Sequence, residues 1–191
     1  MQKNIGFLPA FLAGSVLLLS SGSSVAQNRP RGKAILSEMP RQEINGRYYT
    51  SGFPDDIPIG REIFQAFARI GTSVVDSYSS VFSIRDSTQA IFRLASSREA
   101  SKYKKLTLSF GIADSDRAAT SGTVTRLSIY KDGKFHGYRD IGLGDKNLWV
   151  IDVTNTRSLA LEASCTRTVE VVFARQQGCA GIYFFEEILE Q

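Results

Sequence analysis

The stretch 127-LSIYKDGKFHGYRDI-141 holds two strand-like runs around a Lys131-Asp132-Gly133-Lys134 turn. Its register decides which residues meet a core. A two-residue loop at Asp132-Gly133 sets Tyr130 opposite Phe135 and Ile129 opposite His136, mixing apolar and polar residues on each face. A three-residue loop, Lys131-Asp132-Gly133 with Gly133 left-handed as a bulge, pairs Ile129 with Phe135 and Leu127 with Gly137. The second register is expected, because a slip of one residue buries His136. The inner face is then Leu127, Ile129 and Phe135. The outer face sets Arg126, Ser128 and Tyr130 across from Tyr138, His136 and Lys134. Arg126, Tyr130, His136 and Tyr138 make this outer face a candidate ligand-binding surface. Flat aromatic rings pack on the C–H face of a sugar, and polar neighbours take its hydroxyls. Cross-strand tyrosines also stabilise a sheet without any ligand.

Outward from the hairpin, most of the chain reads as short strands. In "KKLTLSFGIAD", Leu106, Leu108, Phe110 and Ile112 alternate with Thr107, Ser109 and Gly111, which is a half-buried strand. "QAIFRLA", "NLWVIDV", "SLALEA", "TVEVVFA" and "GIYFFEEILE" continue the pattern, and "SVVDSYSSVFSIRDS" holds two shorter pieces. Asn45-Gly46 beside Tyr48 and Tyr49 marks a strand or hairpin edge. One segment differs. Ile59, Ile63, Phe67 and Ile70 recur at helical offsets between Pro58 and Gly71, which predicts one short helix from about Ile59 to Ile70. Many short strands with turn signals between them predict an all-β, antiparallel sandwich with that single helix in an N-terminal insertion.

The chain has 191 residues, enough for one domain with a real core. Residues 1–26 have the pattern of a signal peptide. Lys3 precedes an apolar run from Phe7 to Leu19, and Val25-Ala26 offers a small-residue cleavage point. The run is short for a bilayer of ~30 Å, so no stable membrane insertion is expected and the protein is expected to be secreted or periplasmic. Residues 27–34 read as a flexible lead-in, and 35–191 as one domain. Taking Lys3 from the 23 basic residues leaves 22 against 19 acids, a net charge of +3 without clustering. "QNRPRGK" is a solvated basic tail rather than a nucleic-acid arm. In an exported protein, Cys165 and Cys179 are expected to pair. A full strand at "TVEVVFA" would hold their ends ~20 Å apart, while a disulfide needs Cα atoms within ~7 Å. Either residues 166–178 form an excursion closed at its base, or the cysteines do not pair.

Few catalytic constellations can be built. His136 is the only histidine, which excludes multi-histidine metal sites, and no nucleophile-elbow pattern supports a triad. Glu186 and Glu187 are adjacent on a strand, so they point to opposite faces. Asp114 and Asp116 are the candidate pair for a structural Ca²⁺, although two carboxylates fall short of the six or more oxygen ligands that ion takes. No cofactor is required by any motif. Trp149 shares a face with Ile151 and Val153 and reads as core.

The ordered set "KYKKLTLSFGIADSD", "TVTRLSIYKDGKFHGYRDI" and "WVIDVTNTRSLALEAS" resembles the NPCBM module, also called carbohydrate-binding module family 51. The shared features are a strand ending in Phe110-Gly111-Ile112 with Asp114 and Asp116 after it, Tyr130-x-Asp132-Gly133-Lys134, and Ile151-Asp152-Val153-Thr154 before a Leu-x-Leu strand. Similarity is clearest from Ser101 to Ser164, with weaker echoes from Ile35. The resemblance implies a jelly-roll sandwich of the galactose-binding-like type that binds carbohydrate and is not an enzyme. It also implies that residues 166–178 are an insertion ahead of the last strand. Residues 54–88 are longer than the family pattern, Thr156 stands where a glycine is usual, and Phe184 or Phe185 falls near a usual tryptophan. The expected function is an exported lectin-like module for a neutral sugar such as a galactoside. The alternative is a structural or protein-interaction module of the cell envelope, with an envelope protein as partner.

Overall fold

Alternation of inward apolar and outward polar residues carries through nearly every described segment, and each such run is a strand. The computed structural model describes residues 30–75, 80–84, 87–96, 99–116, 122–167 and 179–191. Strands are numbered in chain order. One sheet contains β1 (Lys33–Ile35), β3 (Arg47–Tyr49), β6 (Ala68–Val75), β7 (Ser80–Ile84), β9 (Lys105–Gly111), β12 (Lys146–Asp152), β14 (Cys179–Ala180) and β15 (Ile182–Glu190). Its order is β12-β9-β15-β6-β7-β14, with β1 on β15 and β3 on β6. The second sheet has five strands: β2 (Arg41–Ile44), β8 (Ser87–Arg93), β10 (Val124–Lys131), β11 (Lys134–Ile141) and β13 (Ser158–Arg167), in the order β11-β10-β13-β8-β2. A separate hairpin joins β4 (Asp55–Ile59) to β5 (Glu62–Ala66). Pairing is antiparallel throughout, as between β10 and β13 or β9 and β15.

The two sheets face each other over one core. Leu106, Leu108, Phe110 and Phe184 come from one side, and Phe92, Leu127, Ile129 and Leu161 from the other. Trp149 is 7% exposed in this core, where the alternation of β12 places it. Glu187 is buried while its neighbour Glu186 is part-exposed, the opposition expected of adjacent strand residues. Cys165 and Cys179 form a disulfide with Cα atoms 5.3 Å apart. The strand read at "TVEVVFA" falls at 168–174, outside the described residues, as does the leader at 1–26.

Three expectations are corrected. The segment from Ile59 to Ile70 is not a helix; the only helical turn among the described residues is a 3-10 turn at Leu36–Glu38. Gly60 and Arg61 have φ of 58° and 71°, which makes them the two-residue loop of the β4–β5 hairpin. Ile57 and Ile59 alternate inward, whereas Ile63, which the helical spacing would bury, is 75% exposed. Two short strands with period 2 and a Gly-Arg loop overrode a spacing that also fits period 3.6. The lead-in is shorter than expected, because Lys33 and Ala34 pair with Glu190 and Leu189 on β15. The opening hairpin also turns in another register than the one expected.

Asn45-Gly46 also does something other than close a hairpin. Its flanking strands go to different sheets, β2 onto β8 and β3 onto β6. The turn is a corner between layers. This matters for the site because it leaves the five-stranded sheet with β2 and β11 as its edges. Part of the outer face of the eight-stranded sheet is covered by the β4–β5 hairpin, where Ile57, Ile59 and Ala66 pack on Ala113 and Tyr183, and Phe64 lies 4.7 Å from Phe185, while Leu148 and Val150 on β12 stay exposed. Among the described residues nothing comparable covers the outer face of the five-stranded sheet, where Phe135 is 59% and Tyr138 45% exposed.

Candidate functional site

The opening hairpin turns in two residues, not three. Asp132 and Gly133 have φ of 48° and 77°, and Lys131 pairs with Lys134. Aspartate tolerates this left-handed conformation better than most residues, and here its carboxylate has a further task. Asp132 Oδ1 accepts the N–H groups of Arg157 and Ser158 at 3.0 and 2.9 Å, tying the turn to the start of β13. The mixed faces that a two-residue loop would produce are avoided by a β-bulge. Tyr130 pairs with Phe135, and the next pair is Ile129 with Gly137. His136 is the extra residue, and one extra residue resets the alternation.

The bulge re-sorts the predicted face. Tyr138 stays outward beside Ser128, as expected. Phe135, predicted to face the core, is outward instead and 59% exposed. Its ring centroid is 5.7 Å from that of Tyr130 and 6.4 Å from that of Tyr138. His136 leaves the platform: its ring lies parallel to Trp149 at 6.5 Å. Partial desolvation first, then the Lys131 charge, hold the imidazole below its ordinary pKa, against an opposing pull from Asp152. Gly137 makes room for the indole, since a Cβ there would sit 3.3 Å from Trp149 Cζ2.

Registers across the sheet define the rows of the outer face. One row runs Tyr138, Ser128, Glu162, Gln89, Ile44, and the next runs Phe135, Tyr130, Ala160, Ile91, Gln42. Three aromatic rings form one wall. Small side chains at Ser128 and Ala160 form the floor beside it. Glu162 and Gln89 stand on the far side, 3.4 Å apart through Gln89 Nε2 and Glu162 Oε2. The Tyr130 hydroxyl is bonded to Glu162, and partial burial followed by that nearby charge raises the Tyr130 pKa. Arg126 is committed elsewhere. Its guanidinium grips Asp140 with both Nε and Nη2, at 2.7 and 2.8 Å, and lies 3.9 Å over the Tyr138 ring. It therefore orients Tyr138, with two of its five N–H donors engaged by Asp140. Sequence reading missed Phe135, Glu162 and Gln89. The signal for the latter two was the register of "SLALEAS" against the hairpin, which alternation alone does not supply.

Of the acidic pair, Asp114 has a structural task. Asp114 accepts the Gly60 N–H at 3.1 Å through Oδ1 and the Arg61 N–H at 3.2 Å through Oδ2, so both oxygens cap the β4–β5 turn. Among the described residues no group of three or more His, Cys, Asp or Glu side chains is placed to hold a metal ion. Asp114→Ala is expected to cost about 1 kcal/mol, the usual worth of a capping carboxylate, and to speed amide hydrogen exchange at Gly60 and Arg61. Unchanged exchange at both amides would contradict this role.

Similar folds are known among solved structures. A chain with the CBM51-2 and INT domains of Clostridium perfringens ZmpB superposes with a TM-score of 0.55 over 83% of this chain and 31% of that one, at 14% identity. Its fold is that of the family 51 carbohydrate-binding modules. The same ZmpB domains in complex with GlcNAc give a TM-score of 0.54 at 15% identity, over 83% of this chain and 31% of that one. The CBM51 of Clostridium perfringens GH95, solved in complex with methyl-galactose, gives 0.52 at 13% identity and covers 82% of this chain and 99% of that one. The chain thus spans less than a third of the ZmpB chains and nearly all of an isolated CBM51. No family profile and no curated protein matches the sequence. At the positions read as departures from the CBM51 pattern, Thr156 is 3% exposed, Phe184 is fully buried on Tyr48 and Phe110, and Phe185 is half-buried against Phe64.

Proposed function

We propose that the protein is an exported, non-catalytic carbohydrate-binding module whose ligand lies on the outer face of the five-stranded sheet. The observation that carries this reading is the wall of exposed Phe135 and Tyr138 with half-buried Tyr130, beside Glu162 and Gln89. Clustered rings, edge-on for Tyr130 and Phe135 and tilted for Phe135 and Tyr138, offer an apolar surface for the C–H face of a pyranose, and the carboxylate and amide across the floor take hydroxyls. The CBM51 fold supports a sugar as the ligand, and the galactose and GlcNAc complexes of fold relatives support a neutral one such as a galactoside. The leader at residues 1–26 supports export to the periplasm or the cell exterior.

Titration with methyl-galactoside and with GlcNAc tests the reading. Weak saturable binding is expected for at least one of them. Tyr130→Ala combined with Tyr138→Ala is expected to lower that affinity at least about tenfold, since each lost aromatic contact removes roughly 1 kcal/mol. Retained affinity in the double variant would exclude this face. No binding of any neutral sugar by the folded protein would leave the envelope interaction module as the better reading.

A further inference from the structure

The aromatic face does not end at Tyr130. Tyr130 pairs with Ala160, which pairs with Ile91, and along the same strands Ser158 pairs with Arg93. Gln89, Ile91 and Arg93 share the outer side of β8 by alternation, opposite buried Ala90 and Phe92. Arg93 therefore continues the face, and beside it opens a pocket of about 540 Å³ lined by Arg93, Ala95, Ser96, Asp132, Arg157 and Ser158.

The charges in this pocket are unequal. Asp132 contributes the only carboxylate of the lining, and its Oδ1 is already shared by the Arg157 N–H, the Ser158 N–H and, at 3.4 Å, Ser158 Oγ. Those bonds set the Arg157 backbone at the rim. Arg93 and Arg157 each bring a guanidinium, and among the described residues neither has an ion-pair partner. Arg126 and Arg41 on the same sheet differ, being paired with Asp140 and Glu43. Two guanidiniums without an ion-pair partner among the described residues thus line one pocket with hydroxyl-bearing Ser96 and Ser158, which is the kind of donor set that a planar or tetrahedral oxyanion takes.

We infer that the face accepts an acidic glycan, with a neutral ring on the Tyr130 wall and a carboxylate or sulfate ester between Arg93 and Arg157. This rests on the carbohydrate reading above and extends it to a ligand class. The geometry suits one short chain: β10 and β8 are separated by two strand spacings, about 10 Å, with the small side chain of Ala160 between them.

Three oligosaccharides of equal length separate the outcomes: one neutral, one carrying a uronic acid and one carrying a sulfate ester. At low ionic strength one or both acidic chains are expected to bind about tenfold more tightly than the neutral one, the sum of two modest charge pairs. Arg93→Ala with Arg157→Ala is expected to bring them down to the neutral level. Whichever acidic arm responds identifies the anion. Equal affinity for all three chains, or a preference that survives the double variant, would overturn this inference and leave the neutral-sugar reading standing. Failure of all three to bind would overturn both. Both arginines are exposed, so the variant's thermal melt should match the wild type and keep the comparison interpretable.

Discussion

Phe184→Ala is expected to lower stability by about 3–5 kcal/mol, the range for emptying a buried phenylalanine site. The side chain is fully buried on β15, between β9 and β6, with ring contacts to Tyr48 at 5.5 Å and Phe110 at 6.0 Å. Tyr48 in turn meets Phe92 edge-on at 5.1 Å, so the ring joins the two sheets. Phe185 is the useful contrast. It is the bulged residue between Phe184 and Glu186, half-buried against Phe64 under the β4–β5 hairpin. Phe185→Ala is expected to cost only about 1–2 kcal/mol. Urea unfolding measures both, with the midpoint falling and the slope unchanged. Equal losses for the two variants would show that Phe184 is not the inter-sheet keystone.

Glu187→Gln is expected to remove a pH dependence of about 3 kcal/mol. Glu187 is 3% exposed, and burial pushes its carboxyl up to about 7 from an ordinary 4.5. Ser37 and the Arg41 charge pull it back only in part, and neither oxygen has a hydrogen bond of good geometry. The sign follows from proton counts. Between pH 4.5 and 7 the folded protein keeps a proton that the unfolded chain has released. Folding stability therefore falls as pH rises through this window and stays low above it. The glutamine variant cannot ionise. The difference in unfolding free energy, variant minus wild type, should grow from pH 4.5 to pH 7 and then level off. A difference independent of pH would contradict the buried neutral carboxyl.

How much of this was legible in the residues varies by element. The half-buried strand at Leu106, Leu108 and Phe110, the core position of Trp149 and the opposed directions of Glu186 and Glu187 all follow from period-2 alternation. Alternation is a local property, so one chain segment carries it. The hairpin was only half legible. Arg126, Ser128, Tyr130 and Tyr138 lie on the outer face as read, whereas Phe135 joins that face and His136 leaves it to stack on Trp149. The bulge responsible depends on the Trp149 ring and on the ties from Asp132 to Arg157 and Ser158, none of which is local. The β4–β5 hairpin was misread for a related reason. Its residues fit helical and strand periods alike, and what decides between them is distant: Asp114 caps the turn, and Ala113 and Tyr183 receive Ile57 and Ile59. Glu162, Gln89 and Arg93 join the face only through strand order β10-β13-β8. Sheet order is the property that a single chain's patterning states least directly.

The central claim is that the outer face of the five-stranded sheet is the sugar site. Backbone-amide chemical shifts followed during titration with methyl-galactoside and GlcNAc test it most directly. The predicted result is a cluster of shifts at Ser128, Tyr130, Phe135, Tyr138, Gln89 and Glu162, moving together with one dissociation constant. Saturable shifts confined instead to the β4–β5 hairpin, or to other residues on the opposite sheet, would contradict it.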